Sequence, residues 1–157
     1  RDVADPDELF FIRPERDAKE FAGDVIRYGD FKEWYETISH GGYSITPNTR
    51  IIVGTPFNIS HEWRCFMVGG KVSSASQYRK DKVLSISAGA PPEVIEFAES
   101  MANLWSPSDV FVMDVARCGQ ELYTLENNCF NSSGFYACDI EKIVRDVSDI
   151  ARKMYGR

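Results

Sequence analysis

The sequence predicts an α+β fold in two lobes, with mainly antiparallel sheets and a cleft between a small N-terminal lobe and a larger C-terminal one. Two observations point there. Two pairs of β-rich runs are joined by tight turns, at Gly69-Gly70 and at Cys118-Gly119-Gln120, and a hairpin makes its strands antiparallel neighbours. The strands also alternate with three segments whose apolar residues recur at helical spacing.

Each element has a local reason. Phe10 to Arg13 is a short strand ended by Pro14, after an acidic, proline-containing lead-in over residues 1–9. Asp30 to Ile38 reads as a helix opened by an Asp variant of the capping box, Asp30 with Glu33. Phe31, Trp34, Tyr35 and Ile38 form its apolar stripe, and His40-Gly41-Gly42 ends it. Arg50 to Val53 is β-rich and is broken by Gly54-Thr55-Pro56. Ile59 to Val68 and Lys71 to Arg79 flank Gly69-Gly70. In the first of these strands Glu62 and Arg64 share one face, and Trp63, Cys65 and Met67 share the other. Pro92 to Trp105 is a helix with proline in its first turn, where a missing N–H costs nothing, and Ser106-Pro107 stops it. Phe111 to Ala116 and Glu121 to Asn127 form the second hairpin. Asp139 caps a final helix with Ile140, Ile143, Val144, Val147, Ile150, Ala151 and Met154 at helical spacing.

Composition narrows the function classes. A chain of 157 residues with 43% apolar and 27% charged residues is an ordinary globular sequence, and its net charge of −6 excludes a general nucleic-acid coat. No apolar run reaches the length of a membrane span, and a cytoplasmic protein without a signal peptide is expected. Cys65, Cys118, Cys129 and Cys138 lack CxxC spacing, which favours reduced thiols over a zinc site. His40 and His61 have no partner at ligand spacing and read as structural or surface residues. The first residue is Arg1, so a trimmed or incomplete chain is expected.

Chemistry gathers in the second hairpin. Asp114 interrupts an apolar strand, and an acid there is costly to bury without a cation or a donor. Glu126 and Asn128, two residues apart, point to one side of the returning strand, and Asp114 can face them if the hairpin closes. Two carboxylates and an amide oxygen make a hard-oxygen set suited to Mg²⁺ with phosphate oxygens in the remaining positions. An acid at a strand end that stays solvated is the other reading. Asn131-Ser132-Ser133-Gly134 follows as a polar loop rich in donors, placed for an anion or substrate. Two further groups are open in the same way. The cations Arg13 and Lys19 can serve a phosphate ligand or join solvated charge pairs among Glu15, Arg16, Asp17 and Glu20. Arg64 and Arg79 can face a phosphate or leave Glu62 in a cross-strand Glu–Arg pair on a solvated sheet face.

The order VMDVA, LENN, FNSSGFYACD resembles the end of an ATP-grasp domain, in which an Asp strand precedes an ExN strand carrying the Mg-ATP ligands. FIRPERDAKEFAG, EWRCFMVGGKV and SASQYR extend the likeness over Phe10 to Ile150, to a divergent ATP-grasp clade common in phage and bacterial genomes. That clade is related to a eukaryotic cell-division-cycle protein that helps assemble a translation initiation factor. The resemblance implies the ATP-grasp fold, with residues 1–57 as the small lobe and hinge and 58–157 as the C-terminal lobe. It implies ATP and Mg²⁺ as cofactors, with Asp114, Glu126 and Asn128 as metal ligands. It assigns Arg13, Lys19, Glu62, Ser132, Ser133 and Gly134 to the nucleotide, with Glu62 accepting from the ribose hydroxyls. Arg64 and Arg79 become the catalytic cations of a carboxylate–amine ligase that works through an acyl phosphate and takes small-molecule or peptide substrates. The alternative it leaves is a non-catalytic nucleotide-binding assembly factor with a protein target. ATP-grasp enzymes usually carry a further domain before this region that helps bind the acceptor, and nothing here corresponds to it.

Overall fold

The computed structural model describes residues 5–16, 20–41 and 45–156 and divides into two compact units at the junction of Phe57 and Asn58. In the first unit, β1 (Leu9–Pro14) is the middle of a three-stranded antiparallel sheet, between β2 (Asp24–Arg27) and β3 (Ile51–Gly54). Helix α1 (Phe31–His40) supplies Trp34 and Ile38 to a core around Ile12, Phe21 and Ile26. Trp34 meets Phe21 edge-on, with ring centroids 5.3 Å apart.

The expected capping box does not form. Asp30 ends a turn of 3-10 helix, with φ −91° and ψ 0°, and its side chain makes no cap bond. An N-cap residue needs an extended backbone to bring its oxygen over the first free N–H groups, and this one is already helical.

The second unit is a five-stranded antiparallel sheet in the order β6-β5-β4-β7-β8. Its strands are β4 (Ile59–Val68), β5 (Lys71–Lys80), β6 (Val83–Ala88), β7 (Val110–Cys118) and β8 (Glu121–Asn128). The β4–β5 turn has φ of +59° at Gly69 and +77° at Gly70, a conformation that only glycine adopts cheaply. A Cβ at Gly69 would also stand 2.9 Å from Ile150 Cδ1. The sequence pattern does not announce β2 or β6. The latter is an edge strand with Val83, Leu84 and Ile86 exposed, so its apolar residues do not alternate clearly.

Helix α2 (Pro92–Leu104) covers one face of this sheet and α3 (Ile140–Tyr155) part of the other. Under α2, Trp63, Cys65, Met67, Phe111, Met113 and Val115 pack with Val94, Ala98 and Ala102. Under α3, Phe66 and Val112 pack with Ile143, Cys138, Phe130, Phe135 and Val147. Asp139 caps α3 as expected, accepting from the Lys142 N–H at 2.9 Å. The Ser74 hydroxyl in turn accepts from the Asp139 N–H at 2.8 Å, which pins the helix start to β5. No helix among the described residues is long and apolar enough to cross a membrane.

Candidate functional site

Beyond the reach of α3, the second face of the sheet turns from apolar to charged. Along β4 its residues run Val68, Phe66, Arg64, Glu62, and along β7 they run Val112, Asp114, Ala116. Arg64 and Asp114 are direct cross-strand partners, as are Asp114 and Glu126. One row thus carries Arg64, Asp114 and Glu126 across three strands.

Two bulges complete the set. Ala116 opposes Tyr123 and Val115 opposes Thr124, but the register then slips so that Asp114 opposes Glu126 and Leu125 is extra. A regular ladder would have sent Glu126 after Leu122 and Thr124 to the α2 face; the bulge returns it, with Asn128, to the face of Asp114. On the other side Trp63 opposes Gln77 while Glu62 opposes Arg79, which leaves Tyr78 extra. Both Tyr78 and Arg79 then reach the Glu62 carboxylate: the Tyr78 hydroxyl donates to Oε2 at 2.6 Å and Arg79 Nη1 lies 3.5 Å from Oε1.

The two arginines differ. Arg64 forks onto Asp114, with Nε donating to Oδ1 at 2.9 Å and Nη2 to Oδ2 at 2.8 Å, and Nη1 donates to the Gly134 carbonyl at 3.3 Å. Its side chain is 12% exposed. Arg79 is 48% exposed at its side chain, with one loose ion pair to Glu62. Of the open readings, a cross-strand Glu–Arg pair does form, between Glu62 and Arg79, but on a buried carboxylate rather than a solvated one. Glu62 is buried and paired with Tyr78 and Arg79, while Arg64 serves Asp114.

Asp114 is 1% exposed, so the cation it requires is in the first instance the protein's own Arg64. Burial nevertheless holds its carboxyl above the ordinary range; Arg64 pulls it down, and Glu126 and Glu62 push it up. The hydrogen bonds to Asp114 push the Arg64 guanidinium up, so it is a permanent cation. Tyr78 is pushed far above a normal phenol by burial, with Asp114 and Glu62 adding to the effect, and stays a donor.

At this end of the face Glu62, Asp114 and Glu126 stand against Arg64 and Arg79. Asn128 Nδ2 donates to Glu126 Oε1 at 2.8 Å, so these two side chains already converge. Among the described residues no cluster of three His, Cys, Asp or Glu is positioned for a metal. The candidate set is instead two acids and an amide, and its surplus negative charge and hard oxygens fit Mg²⁺.

The loop after β8 closes one side. The Ser132 and Ser133 hydroxyls donate to the Cys129 carbonyl at 3.4 and 2.9 Å, and Gly134 is held through its carbonyl by Arg64. Tyr136 follows, with its ring stacked on that of Tyr78 (centroids 5.1 Å apart, planes 9° from parallel) and 5.1 Å from Arg64 Cζ. Neither tyrosine is singled out by the sequence; an aromatic beside a polar loop carries no signal until register places it. Arg13 lies on β1 of the first unit, exposed, with Nη1 donating to the Pro14 carbonyl at 3.2 Å. Lys19 lies outside the described residues.

Comparison with known proteins follows the same lines. A family model described as an ATP-grasp domain, numbered family 3 of its clade, matches residues 1–147. No curated protein matches the chain. Among solved structures, the ATP-grasp ligase PsnB complexed with a phosphomimetic variant of a minimal precursor, Mg and ADP is similar, with a TM-score of 0.61 and 14% identity over 92% of this chain. The same ligase complexed with a minimal precursor gives 0.58 and 13% over 88%. The chain spans 45% and 48% of the length of those two chains.

Proposed function

Because the chain belongs to the ATP-grasp family, we propose that the charged end of its five-stranded sheet binds Mg-ATP and drives the joining of a carboxylate to an amine. The observation that carries this reading is the convergence of Asp114, Glu126 and Asn128 on one face, reached through a bulge at Leu125. Mg²⁺ held by these three would supply neutralisation of phosphate charge.

The chain's own groups supply the rest. Arg79, half exposed and loosely paired, is the cation available to the transferring phosphoryl group and to the oxyanion that develops as the amine adds. Arg64 pairs with Asp114 and ties it to the 132–134 loop, which lines the anion side with Ser132, Ser133 and Gly134. Glu62 retains lone pairs beyond its bonds to Tyr78 and Arg79 and is the acceptor for ribose hydroxyls. Arg13 and Lys19 are assigned to the phosphates on the family pattern alone. In the reaction a carboxylate oxygen attacks the γ-phosphorus, the bond from that phosphorus to the β–γ bridging oxygen breaks, and ADP leaves. The amine then adds to the acyl carbon, loses a proton, and expels phosphate. A small-molecule or peptide carboxylate is the substrate class, and the similar PsnB ligase is seen with a minimal precursor bound.

Mg-ADP should raise the melting temperature by several degrees, since a ligand at a hundredfold excess over its dissociation constant adds about 2.7 kcal/mol to the native state. ADP without Mg²⁺ should do much less. With peptide carboxylates and ATP, hydroxylamine should trap a hydroxamate. Release of AMP would replace the acyl phosphate with an adenylate. Binding without any nucleotide cleavage by the full-length protein would favour a nucleotide-binding assembly factor, and no Mg-ADP binding at all would end both readings.

A further inference from the structure

Tyr136 stands outside the assigned metal and nucleotide groups, yet the site is built against it. Its backbone has φ +49°, in the left-handed region that a bulky residue occupies at a cost. The turn around it is pinned on both sides: Arg64 Nη1 donates to the Gly134 carbonyl at 3.3 Å, and the Ala137 N–H donates to the buried Ser76 hydroxyl at 3.2 Å. Within that turn Tyr136 is 40% exposed, so it is no core residue. What it does touch is the Tyr78 ring and the Arg64 guanidinium, whose Cζ lies 5.1 Å from the Tyr136 centroid and 5.5 Å from that of Tyr78. A guanidinium beside a pair of stacked rings is held in orientation by cation–π attraction, and the planar fork that meets a carboxylate bidentately depends on that orientation.

We infer that Tyr136 is a positioning residue: its ring, backed by Tyr78, holds the Arg64 fork on Asp114, and through Arg64 it sets how well Asp114, Glu126 and Asn128 receive a divalent cation. The inference rests on the proposed metal site for its consequence, and on the ring stack and the fork for its cause, so the two are tested apart.

The decisive variant is Tyr136→Gly. Glycine removes the ring and also relieves the positive φ, so the backbone gains while the stack is lost. Loss of the stack and relief of the positive φ oppose each other in the melting temperature under either reading, so the state of Arg64 is what separates a structural from a positioning tyrosine. The ligand-free readout is the Arg64 Nε–H signal in a ¹⁵N NMR spectrum, assigned by its loss in Arg64→Lys. It should be shifted and slow to exchange in wild type and in Tyr136→Phe, which keeps the ring, and should collapse toward free arginine in Tyr136→Gly.

The second readout is Mg-ADP affinity by calorimetry, expected to fall about three- to tenfold in Tyr136→Gly and to be restored in Tyr136→Phe. An unchanged Nε–H signal in Tyr136→Gly would overturn the inference whatever the ligand does. A changed signal with wild-type Mg-ADP affinity would overturn the link to the metal site. Absence of Mg-ADP binding in wild type would instead overturn the proposed function and, with it, that link, while the NMR result would still decide the clamp.

Discussion

The two faces of the five-stranded sheet come from the same strands and are built to opposite rules. The α2 face presents Trp63, Cys65, Met67, Phe111, Met113 and Val115, all buried against a helix. The opposite face presents Phe66 and Val112 under α3 and then Arg64, Glu62, Asp114 and Glu126 where α3 no longer covers it. Alternation along a strand separates the two sets without any cost in backbone geometry. One face is therefore all packing, and the other divides into packing under α3 and charge beyond it. Burying an apolar side chain fully contributes about 1.5–3 kcal/mol, whereas a buried ion pair returns little beyond the desolvation it demands. The charged row adds little to the fold, and the proposed Mg-ATP is what its charges would meet.

The division between the faces is tested hardest by Phe111→Ala. The side chain is 1% exposed at the centre of the α2 face, so a loss of about 3–5 kcal/mol in unfolding free energy is expected from urea titration. Any effect on Mg-ADP binding should follow only from loss of folded protein. A Phe111→Ala variant that binds poorly while fully folded would blur the separation.

A smaller effect distinguishes the charges. Asp114→Leu leaves the Arg64 guanidinium with its partner gone, and should cost about 3 kcal/mol, at the low end for a broken buried pair because Arg64 keeps some contact with water. Replacing both, Asp114→Leu with Arg64→Met, should recover most of that stability while leaving Mg-ADP binding abolished. Recovery of stability in the double variant, read beside absent binding, would place the pair in function; a double variant no better than the single would make it part of the fold.

Much of this arrangement is legible in the residues, and what is hidden at the site itself has one cause. The two hairpins, the cap at Asp139 and the shared faces of Glu62 with Arg64 and of Glu126 with Asn128 follow from local chemistry and period. Both bulges were invisible, because a register slip depends on which residue of the partner strand is opposed, and that is decided by packing across the sheet. Without the slip at Leu125 the parity of the sequence would place Glu126 under α2. The pairing of Arg64 with Asp114 was hidden for the same reason: fifty residues separate them, and only the β4–β7 register makes them neighbours. The failed capping box at Asp30 shows the converse. The right residue types stood at the right spacing, but the 3-10 turn before α1 fixed the backbone in a conformation that cannot use them.

The finest test is Glu126→Gln, where stability should hardly move. Glu126 is exposed, its described partner is the Asn128 amide, and a glutamine oxygen can accept the same hydrogen bond. A change within about 0.5 kcal/mol in unfolding free energy is expected, as for a surface substitution away from the core. Removing one like charge beside Asp114 even relieves some repulsion there. Mg-dependent nucleotide binding should nevertheless weaken by about 1–3 kcal/mol, the range for losing a charge-assisted contact, while binding of ADP measured without Mg²⁺ stays near wild type. That split separates a ligand to the cation from a residue that merely shapes the pocket, since the second would weaken both. Equal Mg-ADP affinity in wild type and Glu126→Gln would remove Glu126 from the metal set and leave Asp114 as no more than the buried partner of Arg64.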